Sequence, residues 1–292
     1  MKISVIVTNW NGLPILQKNL EEIIKKSPEA EEIIFADDAS QDESVLFAQK
    51  IQKKYPQLKI IAHKNNLGFG ENSNDAVSQS SGDLVVLLNN DIYPHSKYIT
   101  HSLKHFDDPN VLGVGFAELG HENWAKFFWK NGYLQHEPGN YDINQTHISG
   151  WVSGGSSIVR KSLFQKLGGF DAIYKPFYCE DLDLGYRAWK SGYTLLWEPK
   201  SVVEHHHETT MSKFSLNFLN YVKERNRLLN TWRNITDPHL LNQNKMALIG
   251  RVLSGPNYIK IIRAAKKQIK HSSAPIVFPQ LTDSQILSKF QK

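Results

Sequence analysis

Three groups of residues in this 292-residue chain have types and spacings that could do chemistry. Asn89, Asn90 and Asp91 follow the unbroken apolar run Leu84-Val85-Val86-Leu87-Leu88. Such a run reads as a central strand buried on both faces, and ligands of open α/β sheets bind beyond the carboxyl ends of strands. A hard oxygen donor placed there suits a hydrated Mg²⁺ or Mn²⁺ shared with phosphate oxygens. The competing reading is turn chemistry that merely closes the strand. Asp37 and Asp38 end a second apolar segment in the same way. The third group is Glu180, Asp181 and Asp183, at the start of a segment where Leu182, Tyr186 and Trp189 recur at helical spacing before Gly192. The dipoles of a helix's first turn favour carboxylates, so these acids either stabilise the helix start or present a general base to a pocket. Gly154-Gly155 allows the backbone to approach a ligand closely.

The elements that must position these groups alternate. Strands are expected at Ile3 to Thr8, Glu32 to Ala36, Leu58 to Ala62 and Leu84 to Leu88, with helices from Leu13 to about Lys26, Glu43 to Lys54 and Glu71 to Ser80. That order calls for a parallel sheet with right-handed crossovers. No G-x-G-x-x-G follows the first strand and no G-x-x-x-x-G-K-[ST] occurs, which counts against a dinucleotide dehydrogenase and a P-loop NTPase. What remains is a nucleotide site with carboxylates and amides for base and ribose and a metal for the phosphates. After a strand at Val111 to Phe116, the stretch 117–149 reads as an irregular insertion. Its Trp124, Phe127, Phe128, Trp129 and Tyr133 are expected to touch an acceptor, with local packing as the alternative.

The net charge of +5 is a mild excess, argues weakly for nucleic acid and is compatible with phosphates or an anionic membrane. One cysteine, Cys179, excludes an internal disulfide framework. No secretory h-region and no apolar stretch of about 18 residues is present, so a soluble, cytoplasmic protein is expected. From Asn244 onward Lys245, Arg251, Lys260, Arg263, Lys266, Lys267 and Lys270 interleave with Leu248, Ile249, Ile259, Ile261 and Ile262. A basic amphipathic helix of this kind either lies peripherally on a membrane or packs with one solvated face. The tail after Ser272 is expected to be loose.

Seven segments occur in the order of a known family: Val5 to Gly12, Asp37-Asp38-Ala39-Ser40, Asn65 to Gly70 with Asn74, Asn89-Asn90-Asp91, Gly154-Gly155, Glu180 to Leu184, and Glu204-His205-His206-His207. The chain resembles a family 2 glycosyltransferase of the GT-A fold, near the bacterial rhamnosyltransferase-like branch. The resemblance implies an α/β domain over 1–235, with a nucleotide-binding half at 1–116 and an acceptor half at 117–235, and a helical extension at 236–292. It implies inverting transfer from a nucleotide-diphosphate sugar, with dTDP-rhamnose suggested by the branch, to a glycan or lipid-linked acceptor. Thr8 and Asp38, with Asp37 adjacent, would hold base and ribose, Asn74 would help close the pocket, and Asn11, Asn89, Asn90, Gly154 and Gly155 would contact substrate. Asp91 stands at the metal-binding carboxylate of the family's D-x-D motif, where Asn89 replaces the first acid. His205 would complete the divalent-metal site, with His206 and His207 as alternatives. Asp181 would be the catalytic base, Glu180 and Asp183 acceptor contacts, and Arg225 and Arg227 the cations facing the diphosphate. A GT-A module that binds nucleotide-sugar without turnover is the alternative that the weakened metal motif prompts.

Overall fold

The computed structural model describes residues 1–120, 124–139, 142–206, 214–275 and 279–291. Strands β1 (Ile3–Asn9), β2 (Glu32–Asp37), β3 (Leu58–Ala62) and β4 (Leu84–Asn89) alternate with helices α1 (Leu13–Lys26), α2 (Ser44–Lys54) and α3 (Phe69–Gln79). They pair in parallel in the order β3-β2-β1-β4. Both faces are covered, and alternate side chains divide between two cores, as the period of two in a strand requires. Val5, Val7, Phe35, Val86 and Leu88 pack with Leu16 and Leu20 of α1 and Ala48 of α2. Ile6, Ile34, Val85 and Leu87 pack on the other side with Ala76 and Val77 of α3.

The chain then runs through β5 (Ile92–Pro94), the short α4 (Thr100–Leu103), β6 (Val111–Glu118), β7 (Ala125–Lys130), β8 (Tyr133–Pro138), β9 (His147–Ile148), β10 (Ser156–Arg160) and α5 (Lys161–Lys166). Helix α6 (Glu180–Lys190) and strand β11 (Thr194–His205) follow, and α7 (Leu216–Asn234), α8 (Pro238–Ser254), α9 (Tyr258–Gln268) and α10 (Asp283–Ser288) close the fold. Strand β10 lies antiparallel between β4 and β6, and β6 runs parallel to β11. Beyond it β11 pairs with β5, which brings His205 opposite Ile92, next to the end of β4.

Two regions depart from expectation. The insertion at 117–149 contains a hairpin, β7–β8, closed by Asn131-Gly132 with both φ angles positive at 55° and 79°. Asn-Gly is the turn that matches strand twist. Its aromatics pack inward: Phe127 and Tyr133 are buried, and Trp124 stacks on His147 at 3.5 Å with Trp197 behind it. Trp124, Phe127 and Tyr133 belong to cores rather than to an acceptor platform, while Phe128 and Trp129 are half-buried. The tail after Ser272 is not loose where it is described. A capping box of Thr282 and Gln285 starts α10, Ile286 and Phe290 are buried in the core, and Phe290 meets Phe127 and Trp189 edge-on. Buried Asp283 pairs with Lys190 at 3.1 Å and accepts from Tyr186 Oη at 2.9 Å, tying the tail to α6. Among the described residues no helix is long and apolar enough to cross a membrane.

Candidate active site

The strand ends of β1, β2 and β4 open onto a cleft of about 710 Å³, within the range of small-molecule sites. Thr8, Asn11, Asp38, Asn66, Asn72, Asn89, Asn90 and Asp91 line it from the first half of the chain. Sheet register places several of them directly: Thr8 lies opposite Asn89, and Asn9 opposite Asp37. Asn90 Nδ2 donates to Asn9 Oδ1 at 2.6 Å, and Asn9 Nδ2 to Asp37 Oδ2 at 2.8 Å. Gly12 and Gly155 carry no Cβ because one would strike the amides of Asn90 and Asn89. Asp38 accepts the amides of Leu67 at 2.6 Å and Gly68 at 2.8 Å, holding the 66–68 loop at this side of the cleft. Asn72 donates to Ala36 O at 3.0 Å, while its buried Oδ1 has no protein partner.

From the second half come Ser153, Gly154, Gly155, Pro176, Phe177, Tyr178, Glu180, Asp181, His205 and Phe214. Glu180 and Asp181 open α6 after two residues in the left-handed region, Tyr178 at φ 74° and Cys179 at φ 76°. Such conformations are costly for residues other than glycine and persist only where the surroundings impose them. Here the fully buried Asn226 of α7 does so, its Nδ2 lying 2.8 to 2.9 Å from the carbonyls of Tyr174, Phe177 and Tyr178. Burial raises both acids above the usual carboxylate range, and the Asp181 charge raises Glu180 further. The amides of Leu182 and Gly154 work against that rise at Asp181, while Glu180 Oε2 is buried with no protein partner.

At the end of β4, Asp91 Oδ1 lies 3.3 Å from His205 Nε2, and His205 Nδ1 lies 3.0 Å from Glu118 Oε2. Burial opposes a charge on His205, but the bonds and charges of Asp91 and Glu118 outweigh it and push its pKa up to about 9. A carboxylate behind the imidazole fixes its ring and raises its basicity as a ligand. Among the described residues no three His, Cys, Asp or Glu side chains are placed to hold one metal ion together. Asp91 and His205 therefore fit a cation that takes few protein ligands and completes its shell with phosphate oxygens and water, as Mg²⁺ and Mn²⁺ do. His206 rests against Tyr93 and Glu204 instead, and His207 lies outside the described residues.

Five expected site residues do not line the cleft. Asp37 is buried beneath it, bonded to Asn9 and Ser40. Asn74 clamps Phe170, donating to its carbonyl at 2.7 Å and accepting its amide at 2.9 Å. Asp183 points the other way around α6, fully buried against Arg187, Tyr174 and Asn234. Arg225 donates to the Lys175 carbonyl, and Arg227 lies 4.1 Å from the Tyr133 ring centroid beside Glu224. For Asp183 the cause is helical geometry, since residues two apart such as Asp181 and Asp183 stand roughly 200° apart around the axis of α6. Sequence reasoning passed over Asn19, whose fully buried amide donates to the carbonyls of Asn90 and Ile92 at 2.8 and 2.7 Å. Its signal was a polar residue on α1's apolar stripe beside Leu16, Leu20 and Ile23. Glu118 was passed over too, although an acid closing the apolar strand β6 marks it.

A mostly parallel sheet with a cleft at its carboxyl edge, an acid at the end of the central strand and an acid pair opening a helix is the arrangement of a GT-A glycosyltransferase. The chain belongs to glycosyl transferase family 2, whose sequence model matches residues 4–168. It is 24% identical over 242 residues to N-acetylglucosaminyl-diphospho-decaprenol L-rhamnosyltransferase of Mycobacterium tuberculosis, covering 70% of this chain and 76% of that one. Its fold is similar to that of GalNAc-T7 crystallised with UDP, GalNAc and Mn²⁺, at a TM-score of 0.62 and 14% identity over 85% of this chain and 54% of that one. It is also similar to the Pyrobaculum calidifontis mannosyltransferase PcManGT in complex with GDP-Man and Mn²⁺, at a TM-score of 0.61 and 16% identity over 91% and 73%.

Proposed function

We propose that the chain is an inverting, metal-dependent transferase that moves a sugar from a nucleoside diphosphate sugar to a hydroxyl of a glycan or lipid-linked acceptor in polysaccharide synthesis. The observation that carries this is the meeting of Glu180 and Asp181 with the Asp91–His205 pair in one cleft. Thr8, Asn11, Asp38 and the unpartnered Asn72 Oδ1 suit the polar edges of base and ribose, with Asn89 and Asn90 nearer the phosphates. The cleft holds the carboxylates of Asp38, Asp91, Glu180 and Asp181, and among its described lining residues there is no Lys or Arg. An anionic diphosphate in that field needs a cation. A divalent ion held by Asp91 and His205 would supply the charge that stabilises the leaving diphosphate.

Asp181 takes the proton of the acceptor hydroxyl as that oxygen bonds to the anomeric carbon. The nucleoside diphosphate departs from the opposite face with the bonding pair, which inverts the centre. A carboxyl raised by burial serves this role better than an ordinary one, because base strength approaches the working pH. Glu180, with its unpartnered Oε2, orients the acceptor. The rhamnosyltransferase name of the mycobacterial relative makes dTDP-rhamnose the first donor to try and a diphosphate-linked polyprenol glycan the first acceptor.

The test is a thermal-shift and turnover screen of dTDP-, UDP- and GDP-sugars with Mn²⁺, Mg²⁺ or EDTA. One donor should stabilise the protein only with metal and be consumed when acceptor is added. Donor binding without turnover on any acceptor would point to a binding module, and no donor binding would overturn the reading.

A further inference from the structure

Helices α8 and α9 carry a surface that the transfer reaction does not use. From Pro238 to Thr282 the chain holds seven Lys and Arg residues and no Asp or Glu. The remaining 27 Lys and Arg stand against 29 acids, so the whole +5 of the protein comes from this one segment. Charge gathered so locally points to an anionic partner rather than to general solubility.

The apolar residues of α8 occupy two sides. Ala247, Leu248 and Val252 pack inward against Tyr133, Leu228 and Leu229, as do Ile261 and Ile262 of α9. Met246, Ile249 and Leu253 face outward at spacings of three and four, 66%, 46% and 78% exposed. Gly250 completes that stripe, with nothing within 4 Å of where a Cβ would sit. A helix apolar on both sides is ordinarily covered on both, and here the outer side is bare. Of the eleven exposed large apolar residues among those described, six fall between Leu216 and Ile259. Lys245 borders the stripe, and exposed Ile259, Lys260, Arg263 and Lys267 continue onto the outward side of the neighbouring α9.

We propose that this stripe and its ring of cations form a surface that docks onto an anionic lipid bilayer. Met246, Ile249 and Leu253 would enter the acyl boundary while the lysines and arginines meet lipid phosphates. The pairing of apolar side chains with cations selects this occupant. A nucleic acid would use the cations and leave the stripe in water; Arg251 is paired with Glu224, but a second copy would still bring exposed Lys245, Lys260, Arg263 and Lys267 against their like. The inference stands on this surface alone and is independent of the transfer chemistry.

The experiment is co-sedimentation of the full chain with vesicles of phosphatidylglycerol and phosphatidylcholine, against vesicles of phosphatidylcholine alone. Binding should require the anionic lipid and weaken with salt. Lys260→Gln with Arg263→Gln should lower it roughly fivefold per cation removed. Ile249→Ser with Leu253→Ser should lower it by about tenfold or more, through lost apolar insertion. Because these side chains are exposed, both pairs should keep the wild-type thermal midpoint, which separates lost docking from lost folding. The proposal is overturned if anionic vesicles are not bound, or if neutral vesicles bind equally well. It is equally overturned if the serine pair leaves vesicle binding intact while the glutamine pair abolishes binding to duplex DNA. Chromatography showing a dimer that the serine pair splits would assign the stripe to a second copy instead.

Discussion

The two halves of the cleft are positioned by different means. In the first, residues 1–116, the backbone does it: strand register sets Thr8 against Asn89 and Asn9 against Asp37, and the side chains at the strand ends meet as a consequence. In the second, single buried side chains do it. Asn226 holds the left-handed turn before Glu180, Asp183 pairs with Arg187 within α6 and ties the helix to Tyr174 and Asn234, and Asp283 ties the far end of α6 to the tail. A ladder shares its load over many hydrogen bonds, whereas a clamp concentrates it. Substitutions in the second half should therefore cost more per residue than those in the first.

The largest effect is expected at Asp183. Asp183→Ala would leave the buried Arg187 guanidinium without its carboxylate, and removing one partner of a buried pair costs about 3–5 kcal/mol. Denaturant unfolding should show that loss, and an equal loss from Asp91→Ala would erase the contrast between halves. Next comes Asn226→Ala, which frees buried carbonyls at about 1–3 kcal/mol and lets the Tyr178-Cys179 turn relax. Turnover should fall while donor affinity holds, a split that kcat measured beside donor titration would reveal. Arg227→Ala should be the mildest, about 1 kcal/mol, with donor affinity unchanged, because this arginine packs on Tyr133 away from the cleft.

The raised carboxyls of α6 sharpen the contrast through pH. Between the ordinary carboxyl range and the raised one, the folded protein keeps protons that the unfolded chain has released. Stability therefore falls as pH rises across that window. Turnover should move the opposite way, rising as Asp181 gives up its proton. Asp181→Asn should flatten the stability decline, and unfolding measured at several pH values from 4 to 8 checks it.

The same contrast explains what the sequence made legible. Strands and helices through residue 89 follow hydrophobic period and turn chemistry, which are local, and Asp91, Asn89, Asn90 and Asp38 could be placed in a cleft from strand ends alone. His205, which the resemblance singled out, lies against Asp91. The clamps were not legible, because Asn226 and Tyr178, or Asn74 and Phe170, lie 48 and 96 residues apart and no period links them. Asp183 was misplaced for a local reason: at the start of a helix three acids read alike, and only the packing of α7 shows which one turns inward. The Asn131-Gly132 hairpin was a readable signal hidden by the density of aromatic residues around it.

The central claim is that Asp181 moves the proton while the donor is held elsewhere in the cleft. The most direct test compares Asp181→Asn with the wild type, measuring donor stabilisation by thermal shift and transfer by product formation in the same metal-containing buffer. Donor stabilisation should be unchanged and transfer should fall by about 10² to 10⁴, the usual contribution of general base catalysis. Transfer retained within about tenfold, or donor binding lost together with transfer, would contradict the assignment.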